Sequence, residues 1–234
     1  MKKITALFIL ISLMIISCKY KIVSPIIDID EENNIYNNGN NGNNNNQNNN
    51  QNLYTVGANS SEEEVRNSLE KNKQLTDKNL IIVEGYINQS SLIFDNIKKV
   101  ISGKTDIELD LSMATLESNF KGTLENFKEL TIVLLPSSRT LVGNFLKGCT
   151  SVTSIQLQKT LDTIDQTSFS GCTSLKNAEY LGTSPNIING TPFTGLKPTD
   201  LYLPNVKTDP GDQSWDNFLG YKWNKIHYNT SMPK

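Results

Sequence analysis

The sequence predicts an α+β solenoid: short strand-bearing coils stacked around one parallel β-sheet, with a helical N-terminal cap and a disordered Asn-rich linker ahead of it. Two interleaved periodicities and one compositional break carry that reading. Apolar pairs at spacing two recur as Leu109/Leu111, Ile132/Leu134, Ile155/Leu157, Ala178/Tyr180, Leu201/Leu203 and Ile226/Tyr228, their first members 23, 23, 23, 23 and 25 residues apart. Spacing two puts both members of a pair on one face of a strand. A second series, Phe120, Phe145, Phe169, Phe193 and Phe218, steps by 25, 24, 24 and 25, with Gly two or three places after each Phe. Leu141, Ile164 and Ile188 keep a similar step ahead of their Phe. No single unit can bury its apolar pair and its Phe alone, so stability must come from stacking the next coil about 4.8 Å away.

The chain begins with Met1-Lys2-Lys3 and the apolar run 4–16, thirteen residues interrupted only by Thr5 and Ser12. As a helix that run rises about 20 Å, short of the roughly 20 residues a bilayer span needs, so 1–17 reads as a signal peptide. Ile15-Ile16-Ser17-Cys18 then resembles a bacterial lipobox, in which the cysteine is lipidated and becomes the new N-terminus. Cys18 is the only cysteine in the first 148 residues, and a thiolate is the side chain readily alkylated to a thioether. An ordinary secretory signal ending near a cysteine is the rival reading. The resemblance implies a bacterial envelope protein held by its N-terminal lipid in the outer membrane or at the cell surface, facing outward. Palmitate or similar acyl chains on Cys18 would supply a stable anchor, since two or more chains hold where one does not.

Residues 18–59 form the lipid anchor and tether. Within them 33–52 hold fourteen Asn, two Gln, two Gly, one Ile and one Tyr, too little apolar surface to offset the entropy of ordering. A flexible coil of about 40 residues keeps its ends on the order of 35 Å apart, enough to hold a folded head off the membrane. A prion-like aggregation segment is the competing interpretation.

Residues 60–104 are expected to form the N-terminal cap, a helix–strand–helix unit over the first coil's open edge. Ser61 and Glu64 make a capping box, with Val65 and Leu69 four apart behind it. Leu80–Val83 is a strand candidate. A second helix is expected from Ser90 or Ser91 to Ser102, with Leu92, Ile93, Ile97, Val100 and Ile101 on one face and Gly103 as its stop.

Residues 105–228 are the repeat domain, and 229–234 a frayed tail. A period of 20–29 with one short strand per unit is the leucine-rich-repeat range. Phe169-Ser-Gly-Cys-Thr-Ser-Leu175 and Gly148-Cys-Thr-Ser-Val152, with Leu-Pro at 135–136 and 203–204, resemble the BspA-like leucine-rich repeats of bacterial surface proteins. The fold class is thus a short leucine-rich-repeat stack. The resemblance implies adhesion to host or neighbouring cells; a surface coat or structural lipoprotein without a defined ligand is the alternative.

Lys and Arg number 22 against 24 Asp and Glu, and a net charge of −2 gives no basis for nucleic-acid binding. One His and three Cys leave no metal-ligand constellation, and no cofactor is implied. Gly143 to Thr150 has the glycine spacing of a phosphate-binding loop, but Cys149 stands where the Lys is needed. Cys149 and Cys172 hold equivalent places in adjacent coils, as a buried ladder or as a disulfide. His227 has no nucleophile at motif distance, and no carboxylate pair suits acid–base work, so no enzyme is expected.

In each strand the residue between the two buried ones faces outward. That row reads Glu108, Val133, Gln156, Glu179, Tyr202 and His227, flanked by Asp110, Leu135, Gln158 and Leu181. Val133, Gln156, Glu179, Tyr202 and His227 are the candidate residues for binding a protein partner, because stacked repeats present such a face for extended contacts. The alternative is a solvated sheet whose outward apolar residues serve strand propensity.

Overall fold

A computed structural model describes residues 52–185 and 188–233. The expected signal peptide, Cys18 and most of the Asn-rich linker lie outside the described residues. Eight strands form one sheet in the spatial order β1 (Thr55–Val56), β2 (Asn79–Ile87), β3 (Ile107–Leu116), β4 (Leu130–Leu134), β6 (Ser154–Leu157), β8 (Asn177–Tyr180), β9 (Asp200–Leu203) and β10 (Lys225–Tyr228). Every pairing is parallel. Parallel neighbours require the chain to return to its starting end between strands, and from β3 onward each return is one coil. Two short strands, β5 (Thr140–Leu141) and β7 (Thr163–Ile164), make a second ladder beside the sheet, and Asn189 bridges to Thr163. Leu141, Ile164 and Ile188 are buried there, as their spacing predicts.

One core runs the length of the stack. Ile81, Leu109, Val133, Ile155, Ala178 and Leu201 lie side by side in register, and each is fully buried. All five phenylalanines of the second series are buried as well. Between coils the backbone pairs again on the side of the Phe turns: Leu124 N–H donates to Phe145 O, Leu146 to Ser168 O, Asn126 to Lys147 O and Gly148 to Ser170 O. Cys149 and Cys172 are free and buried, and each thiol donates to a carbonyl of the preceding coil, Leu124 O at 3.0 Å and Leu146 O at 3.1 Å. Burial pushes both thiols up to about 12.

The register corrects one expectation. Val133, placed on the outward row by the sequence, is fully buried, and so is Leu135. Val133 pairs with Leu109 on one side and Ile155 on the other, 24 and 22 residues away rather than 23 and 23. One extra residue before β4 is compensated by one fewer after it, so the mean period is unchanged. Ile132-Val133-Leu134-Leu135 is apolar throughout, and alternation offers no vote on which face each side chain takes. Ile132 and Leu134 therefore occupy the outer face.

Ahead of the repeats, α1 (Glu62–Thr76) starts at Ser61, whose Oγ accepts from Glu64 N–H while Glu64 returns a carboxylate to Ser61 N–H. Its buried face is Val65, Ser68, Leu69 and Asn72. Residues 52–59, expected within the tether, join the sheet through β1, because Ser68 and Asn72 hold the backbone of Tyr54. Strand β2 extends past Val83 to Ile87 by way of a register shift between Ile82 and Glu84. The second helix, α2 (Ile93–Ile101), starts later than expected, since Asn88 and Ser91 close a turn in front of it. Leu92 is consequently exposed instead of joining the apolar face. Among the described residues no helix is long and apolar enough to cross a membrane.

Candidate protein-binding face

Strand register sets which side chains line up on the face of the sheet turned away from the core. One row reads Ile82, Asp110, Leu134, Gln156, Glu179, Tyr202 and His227. The neighbouring row reads Leu80, Glu108, Ile132, Ser154, Asn177, Asp200 and Lys225. Four of the five candidate residues, Gln156, Glu179, Tyr202 and His227, thus fall on consecutive strands of one row. Val133 belongs to the core. Glu108, expected in the same row, sits in the next one and pairs with Lys78 at 3.0 Å.

Polar groups are linked along the middle of the row. Gln158 Nε2 donates to Gln156 Oε1 at 3.0 Å, Gln156 Nε2 donates to Glu179 Oε1, and Met232 N–H donates to Glu179 Oε2 at 2.6 Å. Glu179 is only 1% exposed. A carboxylate removed from water needs donors, and these two supply them. Toward β10 the row becomes aromatic. The rings of Tyr202 and His227 stack with centroids 4.3 Å apart and an interplanar angle of 3°. His227 Nε2 lies 2.7 Å from Asp200 Oδ1, and Thr199 Oγ1 donates to Asp200 Oδ2. The hydrogen bond from His227, followed by that from Thr199, holds the Asp200 carboxyl below its ordinary value of 3.8. Burial, then the charge of Asp200, pushes the Tyr202 phenol up.

The C-terminal residues are part of this face. Asn229, with φ of +50°, donates its N–H to Leu203 O and Val206 O, and the chain then turns back across the sheet. Met232 is buried over β8, whereas the sequence predicts a frayed tail from 229 onward. Ile82, Leu134, Tyr202 and Met232 are buried without joining the inner core. Sequence reasoning missed Met232 because a contact across 53 positions leaves no local signal. It also missed Asp200, although a spacing of two from Tyr202 places it on the same face.

The repeat sequence has a counterpart among known families. A family model described as the BspA type leucine rich repeat region matches residues 101–218 in six copies. The chain belongs to the BspA-type leucine-rich repeat family. The matched span covers β3 to β9 and the whole Phe series, so the strand and Phe-turn ladders described above lie within the matched repeats. Gln156, Glu179 and Tyr202 lie within that span, while His227 and Met232 lie beyond it. No curated protein and no solved structure matches the chain. Family membership supports a surface or protein-interaction repeat protein.

Proposed function

We propose that this chain is a lipid-anchored envelope protein that uses the outer face of its BspA-type sheet to bind another protein, with no enzymatic activity of its own. The row Gln156–Glu179–Tyr202–His227 carries the reading: stacking of repeats needs only the inward side chains, yet this face holds a hydrogen-bonded polar chain and a stacked aromatic pair. Aromatic and charged groups gathered on one rigid sheet, here with His227 half-buried and Gln156, Glu179 and Tyr202 buried, are the kind of closely packed cluster that dominates a protein contact once a partner reaches it. In this reading Cys18 bears the lipid, the Asn-rich segment is the spacer, and the helical segment 60–104 shields the edge beside the first repeat. Host or neighbouring-cell adhesion is the favoured use of the face.

Two experiments test the reading. Protease treatment of intact cells should remove the repeat head while a periplasmic control survives; survival of both would place the head inside the envelope. Replacing Tyr202 and His227 together by Ala should abolish capture of a surface partner by the purified full chain. A structural coat without a ligand is the second reading, favoured by the near-complete burial of Glu179, and unchanged capture in the double variant would select it.

A further inference from the structure

The route of the chain after β10 is unusual for a surface tail. Asn229 ends the strand in a left-handed conformation, and three residues later Met232 N–H reaches Glu179, two strands back across the sheet. Asn229, Thr230, Ser231 and Pro233 are exposed, while Met232 alone is buried. Apart from the turn in which Thr230 Oγ1 donates to Tyr228 O at the end of β10, the backbone hydrogen bond to Glu179 is, among the described residues, the one hydrogen bond between residues 230–233 and the sheet. The segment crosses the strands instead of pairing with one of them. Past its root, where Asn229 N–H donates to Leu203 O and Val206 O and Thr230 Oγ1 to Tyr228 O, its attachment is one apolar anchor and one donor on a carboxylate that Gln156 holds in place.

We propose that residues 230–233 are a displaceable strap seated in a peptide site, and that the partner of this face is an extended protein segment. That segment places a backbone N–H on Glu179 and an unbranched apolar side chain where Met232 sits. The inference rests on the reading of this face as a protein-binding surface, and adds what the partner looks like and what it must displace. Nothing in the attachment depends on the strap belonging to the same chain. An extended segment in trans meets the same acceptor and the same apolar seat. The tether gives the strap an effective concentration in the mM range, so it suppresses weak segments and admits only those with contacts beyond its own, such as contacts to Tyr202 and His227.

The probe is a synthetic blocked peptide with the sequence of residues 228–233, titrated into the full chain and followed by NMR. In the full chain carrying Met232→Asp the strap is released, and the peptide should bind at least about tenfold more tightly than to the wild type. Adding Glu179→Ala to that variant should remove binding. Met232→Ser serves as a second variant in case the Asp perturbs folding, with the melting temperature as control. Equal binding to wild type and variants, or no binding to any of them at peptide concentrations of about 5 mM, overturns the strap. Partner capture is read separately. Peptide binding without capture of any surface protein keeps the strap and defeats the proposed function. Capture that is identical with and without Met232→Asp keeps the function and defeats the strap as its competitor.

Discussion

The side-chain amide of Asn72 holds the backbone of Tyr54 at two points: Oδ1 accepts from Tyr54 N–H at 2.8 Å and Nδ2 donates to Tyr54 O at 2.8 Å. The same Nδ2 reaches Leu80 O at 3.2 Å, so one buried side chain joins the entry of β1, α1 and β2. Asn→Ala leaves three backbone groups without this partner. Asn72→Ala should cost about 2–3 kcal/mol in urea unfolding of the head, well above a typical surface change. A loss under about 0.5 kcal/mol would mean that water replaces the amide freely.

The register of β4 makes a paired prediction. Val133→Ala removes methyls from the core and should destabilise by about 1–3 kcal/mol, whereas Ile132→Thr on the outer face should stay within about 1 kcal/mol. If Ile132 proves the costlier site, the unbroken 23-residue count is right and the pairing of Val133 with Leu109 and Ile155 is wrong.

How far the fold is legible follows from the same strand. Where polar and apolar residues alternate, as in Ile155-Gln156-Leu157, the two faces agree with the strand register, although Gln156 on the outer face is itself buried rather than exposed. Where the run is wholly apolar, at 132–135, periodicity is silent and a compensated one-residue offset goes unseen. Capping chemistry is local, so Ser61 and Glu64 announce α1 correctly. The attachments of Tyr54 to Asn72 and of Met232 to Glu179 span 18 and 53 positions and are set by tertiary packing, which no local pattern encodes. Consequently the repeat and half of the candidate row are readable, but the covering of that row is not.

Gly171 tests the closeness of the coils. It has φ of +80°, and a Cβ there would come within 3.2 Å of Gly148 N in the preceding coil. Gly195 has nearly the same φ, +79°, but open space around it. Gly195→Ala should therefore cost about 1 kcal/mol from backbone strain alone, and Gly171→Ala clearly more, because strain and contact add. Equal melting temperatures for the two variants would show that the coils separate to admit a methyl group.

Acid should weaken the β9–β10 end selectively. The Asp200 carboxyl is held below its ordinary value of 3.8 by hydrogen bonds from His227 and Thr199. A depressed folded value contributes stability that is complete above the unfolded value and is lost as pH falls through the folded one. Between about pH 5 and pH 3 the wild type should lose stability that Asp200→Asn does not, so their urea midpoints converge as pH drops. Parallel curves for the two proteins would remove Asp200 from the account of this end of the sheet.

The two repeat cysteines discriminate a thiol ladder from a crosslink. Each donates to a carbonyl one coil back, and burial lifts both to about 12, so the reactive thiolate is scarce and shielded at neutral pH. Alkylation of the native head at pH 8 should leave Cys149 and Cys172 unmodified, and the same reagent in denaturant should label both without prior reduction. A peptide linking 149 to 172 in a non-reducing digest would sink the ladder. Labelling of the native protein at one site alone would show instead that its coil opens locally, which places the weakest joint of the stack at that coil.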